Sequence, residues 1–156
     1  MVLVRRLEPE DVQSFSAWRG GDVYLDGIVR RHLAEHAEGR RIILVAVAQA
    51  AIVGTLQLVF REEDPDLADG RTCAYLQALD VRPEWRRRDV GSRLVETAGA
   101  VAASRGYRRL TVMVEADNAS ALGFFQHLGF SCLKRGTHVW RGRSYPTLCL
   151  ERPLPL

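Results

Sequence analysis

The sequence predicts an α+β fold: one mixed sheet with helices on both faces. Three observations carry this. Two β-rich runs, Ile42–Ala48 and Ile52–Phe60, flank a short turn and read as a hairpin, the signature of an antiparallel half. Further on, TCAYLQALDV, DVGSRLVETAGAVAASRG and RRLTVMVE follow one another as strand, helix and strand, a crossover that brings in parallel pairing. The chain has 156 residues and shows no repeat or low-complexity tract, so the expectation is a single domain over residues 1–156 with one core.

The elements follow in order. MVLVRRL alternates as a short strand. EPEDVQSFSAWR begins a helix, with Pro9 and the acids Glu8, Glu10 and Asp11 at its favourable end, and Gly20-Gly21 breaks it. Leu25, Ile28, Val29 and Leu33 recur at helical spacing in the next segment, which Gly39 ends. After the hairpin, REEDPDLADGR is polar, contains Pro65 and Gly70, and is expected to be mobile. Pro83 stops the strand that follows. Val90, Leu94, Ala98 and Val101 form the apolar stripe of the clearest helix, closed by Gly106. After the crossover strand, NASALGFFQHLG is a short helix with Asn118 as cap and Gly129 as terminator. FSCLKRG and RSYPTLCLE read as the last two strands.

Composition restricts function. The formal net charge is only +3, from 22 Lys+Arg against 19 Asp+Glu, which argues against a dedicated nucleic-acid binder. Cys73, Cys132 and Cys149 are scattered and form no CxxC, so they read as small buried hydrophobes in a reducing compartment. No signal peptide or membrane span is evident, and the expectation is a soluble cytoplasmic protein without a membrane partner.

The stretch VRPEWRRRDVGSRL carries the functional question. Arg82, Arg86, Arg87 and Arg88 crowd between a strand end and a helix start near Asp89 or Val90. A helix N-terminus offers unpaired N–H groups and partial positive charge, Gly91 permits close backbone approach, and arginine forks suit phosphate. Taken alone, the stretch fits a solvated basic loop equally well. The sequences GxxxxGK[ST] and GxGxxG are both absent, which removes nucleoside triphosphates and dinucleotides of the common types.

LDVRPEWRRRDVGSRLVETA followed by NASALGFFQHLGF resembles the GNAT superfamily of acyl-CoA-dependent N-acyltransferases. The first segment resembles the family's pyrophosphate motif, [RQ]-x-x-G-x-[GA] after a strand ending in V-x-P, and the second resembles N-x-x-A-x-x-F-[YF]-x-x-x-G-F. The resemblance covers essentially the whole element order and implies a mostly antiparallel mixed sheet, acetyl-CoA as cosubstrate, and transfer of acetyl to a primary amine of a small molecule or peptide. It implies that Arg86, Arg87, Arg88, Asp89, Val90, Gly91 and Ser92 wrap the pyrophosphate. Leu79 and Val81 would bond the pantetheine arm through their backbones, with an N–H near Leu79 polarising the thioester carbonyl. Asn118 would hold the cofactor's other side. Asp89 stands where the first motif glycine belongs, and is also expected to cap the helix through its carboxylate. Phe125 stands where a tyrosine acid is common, and is expected to pack against the cofactor arm. A homodimer stays open, as does a non-catalytic acyl-CoA sensor.

No catalytic side chain is assigned. The position of the glutamate found in many relatives holds Gln77, which does not titrate; Tyr75, Glu115 and Asp117 are the other candidates. The acceptor would lie near Trp18, Tyr24, Trp140 and Tyr145. HLAEH, His32 to His36, matches the H-x-x-E-H zinc pattern, but a third ligand is unidentified, and a solvated helix face is expected, with no metal. His127 and His138 are expected to be surface or packing residues.

Overall fold

In a computed structural model describing residues 1–155, seven strands and four α-helices follow in the order β1(Leu3–Arg6), α1(Val12–Arg19), α2(Val23–Ala37), β2(Arg41–Ala48), β3(Ala51–Val59), β4(Cys73–Val81), α3(Val90–Ser104), β5(Arg109–Glu115), α4(Ala119–His127), β6(Ser131–Trp140) and β7(Arg143–Pro153). The strands hydrogen-bond in the order β1-β2-β3-β4-β5-β7-β6. The β1–β2, β2–β3, β5–β7 and β6–β7 ladders are antiparallel, and β4–β5 is parallel, as expected of a hairpin-fed half and a crossover. No helix is long and apolar enough to cross a membrane, among the described residues.

The chain forms two compact units. The first is Met1–Val59 with Ala78–Ala98; the second is Phe60–Gln77 with residues from Gly99 onward. In the first unit, alternation along β2 sends Ile43 and Val45 to one face, where they bury with Leu7, Phe15, Val29 and Ile52 under α1 and α2. Trp18 and Leu33 close this cluster at its edge. On the opposite face, Gly54 lets α3 come close. A Cβ there would lie 3.0 Å from Val90 Cγ1 and 3.2 Å from Leu94 Cδ1. This unit therefore carries helices on both sides of its strands.

In the second unit, Gly99 of α3 faces Leu110 and Leu154, and the end of α4 is tied down by Arg152, whose Nη1 donates to Leu128 O at 3.2 Å. The other face is covered by residues 61–72. This segment is not the loose loop its composition suggests. The Asp69 carboxylate accepts from the N–H groups of Arg71, Thr72 and Cys73 and from the Thr72 hydroxyl. Leu67 is buried, and its carbonyl accepts from Thr111 Oγ1 at 2.6 Å. Lys134 Nζ reaches Asp64 at 2.6 Å and Asp66 at 3.0 Å. The local turn chemistry of Asp69 is joined by Thr111 and Lys134, side chains from distant parts of the chain that the local sequence does not announce.

Three local differences from the expected elements have plain causes. Pro9–Asp11 forms a separate 3-10 turn before α1, held by Arg5, whose Nη1 lies 2.6 Å from Asp11 Oδ2. β6 runs on to Trp140 because a two-residue turn follows, with Arg141 at φ 50° and Gly142 at φ 78°. The turn between β2 and β3 is also left-handed at both residues, Gln49 at φ 53° and Ala50 at φ 61°, with no glycine to ease it.

Candidate functional site

β4 reaches the arginine stretch through an irregular end. Ala78 sits at φ 58° in mid-strand, and the parallel ladder with β5 covers only Cys73–Leu76. A left-handed alanine within a strand is the mark of a bulge, which re-aims the residues after it. Leu79 and Val81 follow, half-buried. Asp80 between them pairs with Arg19 Nη1 at 3.6 Å.

The four arginines then divide by role. Arg82 is exposed like the others but is tied to its neighbours. Its N–H donates to Val53 O at 2.9 Å, its Nε donates to Ile52 O at 2.8 Å, and its guanidinium lies 4.6 Å from the centre of the Trp18 ring. Its carbonyl accepts from Trp85 N–H at 2.8 Å, closing the 3-10 turn Pro83–Trp85. Arg86 donates through Nε to Val81 O at 3.1 Å, which leaves its terminal nitrogens outward. Arg88 stacks over Trp85 at 5.0 Å. Arg86, Arg87 and Arg88 are all exposed.

The backbone here is bent in a specific way. Arg87 has φ 62° and Asp89 has φ 61°. The left-handed region costs an L-residue about 1–2 kcal/mol, with aspartate among the better-tolerated types. Asp89 therefore holds the conformation that the family motif assigns to glycine, without being glycine. Asp89 also stands at the N-cap position of α3: its angle is non-helical, and its carbonyl accepts the first helical bond, from Arg93 N–H at 3.0 Å. The N–H groups of Val90, Gly91 and Ser92 precede that first helical bond and have no acceptor within the helix. A concave run of backbone N–H groups with left-handed residues at alternate positions is an anion nest. Val90 and Leu94, buried against Gly54, fix the helix beneath it.

The remaining predicted residues lie in the second unit. Asn118 caps α4: its side chain accepts from Ala121 N–H at 3.1 Å. That occupies the amide oxygen and leaves its NH2 group. Phe125 is 5% exposed and meets Phe124 and Phe130 edge-on, with ring centres 5.0 and 5.3 Å apart. It is a member of an aromatic core within this unit. Tyr75 is buried on β4, whereas Glu115 at the end of β5 and Asp117 in the turn before α4 are exposed.

The candidate acceptor aromatics separate likewise. Trp18 is half-buried, packs against the α1–α2 core and carries the Arg82 guanidinium over its ring. Tyr24 is exposed, Trp140 stacks with His138 on β6, and Tyr145 is half-buried on β7. The HLAEH helix face is not solvated as expected. His36 Nδ1 accepts from Ile43 N–H at 2.9 Å, so the proton sits on Nε2, which donates to Leu7 O at 2.9 Å. Both of its nitrogens are engaged in joining α2 to the strands. Glu35 is paired with Arg41 Nε at 3.0 Å. Burial, aided by Arg41 and Arg31, pushes His32 down to about 4. No group of three or more histidine, cysteine or acidic side chains is placed to hold a metal, among the described residues.

The profile of the acetyltransferase (GNAT) family matches residues 6–130, a span that includes both motif segments. The chain belongs to the GNAT acetyltransferase family. It is 29% identical over 79 residues to the N-alpha-acetyltransferase 30 of Schizosaccharomyces pombe, a stretch covering 46% of this chain and 53% of that protein. The chain thus spans about half the length of that curated relative. Among solved structures, the ribosomal-protein-alanine N-acetyltransferase of Brucella melitensis is similar at TM-score 0.77 and 21% identity, covering 97% of this chain and 99% of its own. A Salmonella typhimurium protein described as a putative acetyltransferase with its cofactor acetyl-CoA is similar at TM-score 0.76 and 17% identity, covering 100% and 95%. These two likenesses establish the GNAT fold.

Three features of this region are not legible in the sequence: the attachments that set Arg82 apart from its neighbouring arginines, the pairing of Asp80 with Arg19, and the left-handed angles of Ala78 and Arg87. The left-handed angle of Asp89 does have a signal, since that residue stands at a motif glycine position.

Proposed function

We propose that the chain, as one catalytic domain, transfers the acetyl group of acetyl-CoA to a primary amine of a small molecule or peptide. The observation that carries this reading is the Arg86–Ser92 loop. It presents a left-handed nest, three exposed arginines and the open end of α3 together in one unit. The family's acetyltransferase chemistry and the acetyl-CoA named for the Salmonella neighbour support the choice of anion.

In this reading the pyrophosphate takes the N–H groups of Arg87 to Ser92, and the Arg86 and Arg87 guanidiniums add forked donors. Val81 and Leu79 bond the pantetheine arm through backbone left unpaired with β5, and an N–H at Leu79 polarises the thioester oxygen. The amine, with an ordinary value of ~10.4, first loses a proton. Its lone pair then attacks the thioester carbon: the N–C bond forms, the C–S bond breaks, the nitrogen sheds its second proton, and the departing CoA thiolate takes one up. Catalysis on this route is mainly positioning and carbonyl polarisation. Phe125 supplies no proton, and a thiol of ordinary value ~8.5 leaves without a strong acid.

Gly91→Val tests the loop. A branched side chain in the first turn of α3 holds a phosphate off the backbone. Losing one charge-assisted hydrogen bond of about 1.5–3 kcal/mol weakens binding roughly 10- to 150-fold. Calorimetry with acetyl-CoA should read that loss, with the fold intact by circular dichroism. Equal affinity for the variant and the parent would remove this loop as the phosphate site.

A further inference from the structure

Arg82 carries more structural attachments than any other arginine of the basic stretch, and none of them points at a ligand. It bonds the last residues before the loop to β3 twice, through its N–H to Val53 O and its Nε to Ile52 O. Its guanidinium carbon lies over the Trp18 ring, and Trp18 packs against the α1–α2 core. Four residues on, Arg86 ties back to Val81 O, and between them the Pro83–Trp85 turn closes on the Arg82 carbonyl.

We propose that Arg82, clamped on Trp18, is a positioning residue that holds the Arg86–Ser92 loop in its anion-binding shape. The physical need for such a clamp is on the loop itself. Left-handed non-glycine residues persist only where the surroundings over-determine them, and this loop has two, Arg87 and Asp89. Its far side is fixed by α3, through Val90 and Leu94 against Gly54. Its near side is fixed by Arg82. Where a glycine-rich loop would adopt the shape at no steric cost, this chain has spent arginine and aspartate at those positions and depends on an anchor. The Arg19–Asp80 pair at 3.6 Å stands beside the clamp and joins the same helix to the end of β4.

The role rests on the reading of the loop as the acetyl-CoA site, and it differs from direct phosphate contact in what charge and shape each do. Arg82→Lys keeps the charge but loses the flat stack and the Nε bond. Trp18→Leu removes the stack and leaves every loop charge in place. Both variants should weaken acetyl-CoA binding about tenfold or more, raising KM while kcat at saturating cosubstrate changes less than about threefold, because bound phosphate restores the loop. The salt dependence of acetyl-CoA affinity should keep its slope in both. Asp89→Gly should raise affinity more in the Arg82→Lys background than in the parent, since an unclamped loop gains most from a residue that takes the left-handed shape unaided; equal gains in the two backgrounds would overturn the clamp. Calorimetry at three salt concentrations, steady-state kinetics with thiol detection, and thermal melts read all of this. If Arg82→Lys binds like the parent while Arg82→Gln binds weakly with a shallower salt slope, Arg82 is a phosphate contact and the clamp is wrong. If Trp18→Leu binds acetyl-CoA like the parent, the clamp is wrong as well. If the parent does not bind acetyl-CoA, or Gly91→Val binds as it does, the loop reading itself fails and takes the clamp with it.

Discussion

Asp89 shows how one residue can oppose the site it belongs to. At φ 61° it holds a shape that glycine adopts freely, and its exposed carboxylate stands at the mouth of a proposed phosphate nest. Two unit charges about 4 Å apart repel by about 1 kcal/mol even in water. Asp89→Gly should therefore tighten acetyl-CoA binding roughly fivefold. On capping logic the same change would cost stability, because a good N-cap would be lost. The left-handed angle reverses that sign: replacing an N-cap by glycine costs only a few tenths of a kcal/mol, and the left-handed penalty of about 1–2 kcal/mol outweighs the added freedom of glycine in the unfolded chain, about 0.5–1 kcal/mol. Denaturant titration should show Asp89→Gly more stable by up to about 1 kcal/mol. Weaker acetyl-CoA binding in this variant would mean that the carboxylate faces away from the phosphates and is not a competitor.

At the scale of elements, legibility followed periodicity. The β2–β3 hairpin, the stripe of α3 and the β4–α3–β5 crossover were all readable, because each is set by its own sequence. The pinned segment 61–72 was not, since Asp69 binds locally but Lys134 and Thr111, which complete the job, lie 70 residues from Asp64 and 44 from Leu67. The Arg82–Trp18 contact was hidden for the same reason, since the two residues lie on different elements. Within the candidate site, Gly91 and the arginines were legible as a motif, but the backbone angles that shape the nest were not. The β2–β3 turn is legible through its flanking runs, not through its own residues. Gln49-Ala50 carries no turn signature, yet both residues are left-handed between Ala48 and Ala51, the geometry that favours Asn-Gly. Gln49→Asn with Ala50→Gly should raise stability by about 1 kcal/mol, or roughly 2–4 °C in Tm for a chain of this size. An unchanged or lower Tm would show that the hairpin holds that turn without strain.

The whole molecule should lose stability in acid in two separate windows. His32 lies half-buried on α2, facing the cations Arg41, Arg31 and Arg19 and the single acid Glu35, and is pushed down from 6.5 to about 4 by burial first and those cations second. The unfolded chain therefore binds a proton on this histidine between pH 6.5 and 4 while the folded chain does not. Stability from this group is complete above about 6.5, is lost as pH falls, and changes no further below about 4. The second window belongs to carboxylates. Hydrogen bonding to Arg5 holds Asp11 below its usual value, and Lys134 does the same for Asp64. For Asp69, burial works the other way, but the Thr72 hydroxyl and the N–H groups of Thr72, Cys73 and Arg71 prevail and keep it low. Each of these carboxylates favours the folded state above about pH 3.8 and stops doing so as pH falls through its lowered folded value. Thermal melts from pH 8 to pH 2 should accordingly show a shallow fall in Tm from about 6.5 to 4 and a steeper one below about 3.8. His32→Gln should flatten the first fall and leave the second. Should the variant keep the fall between 6.5 and 4, the titrating group is not His32, and the cation-facing side of α2 is wetter than its packing against the β2 arginine implies.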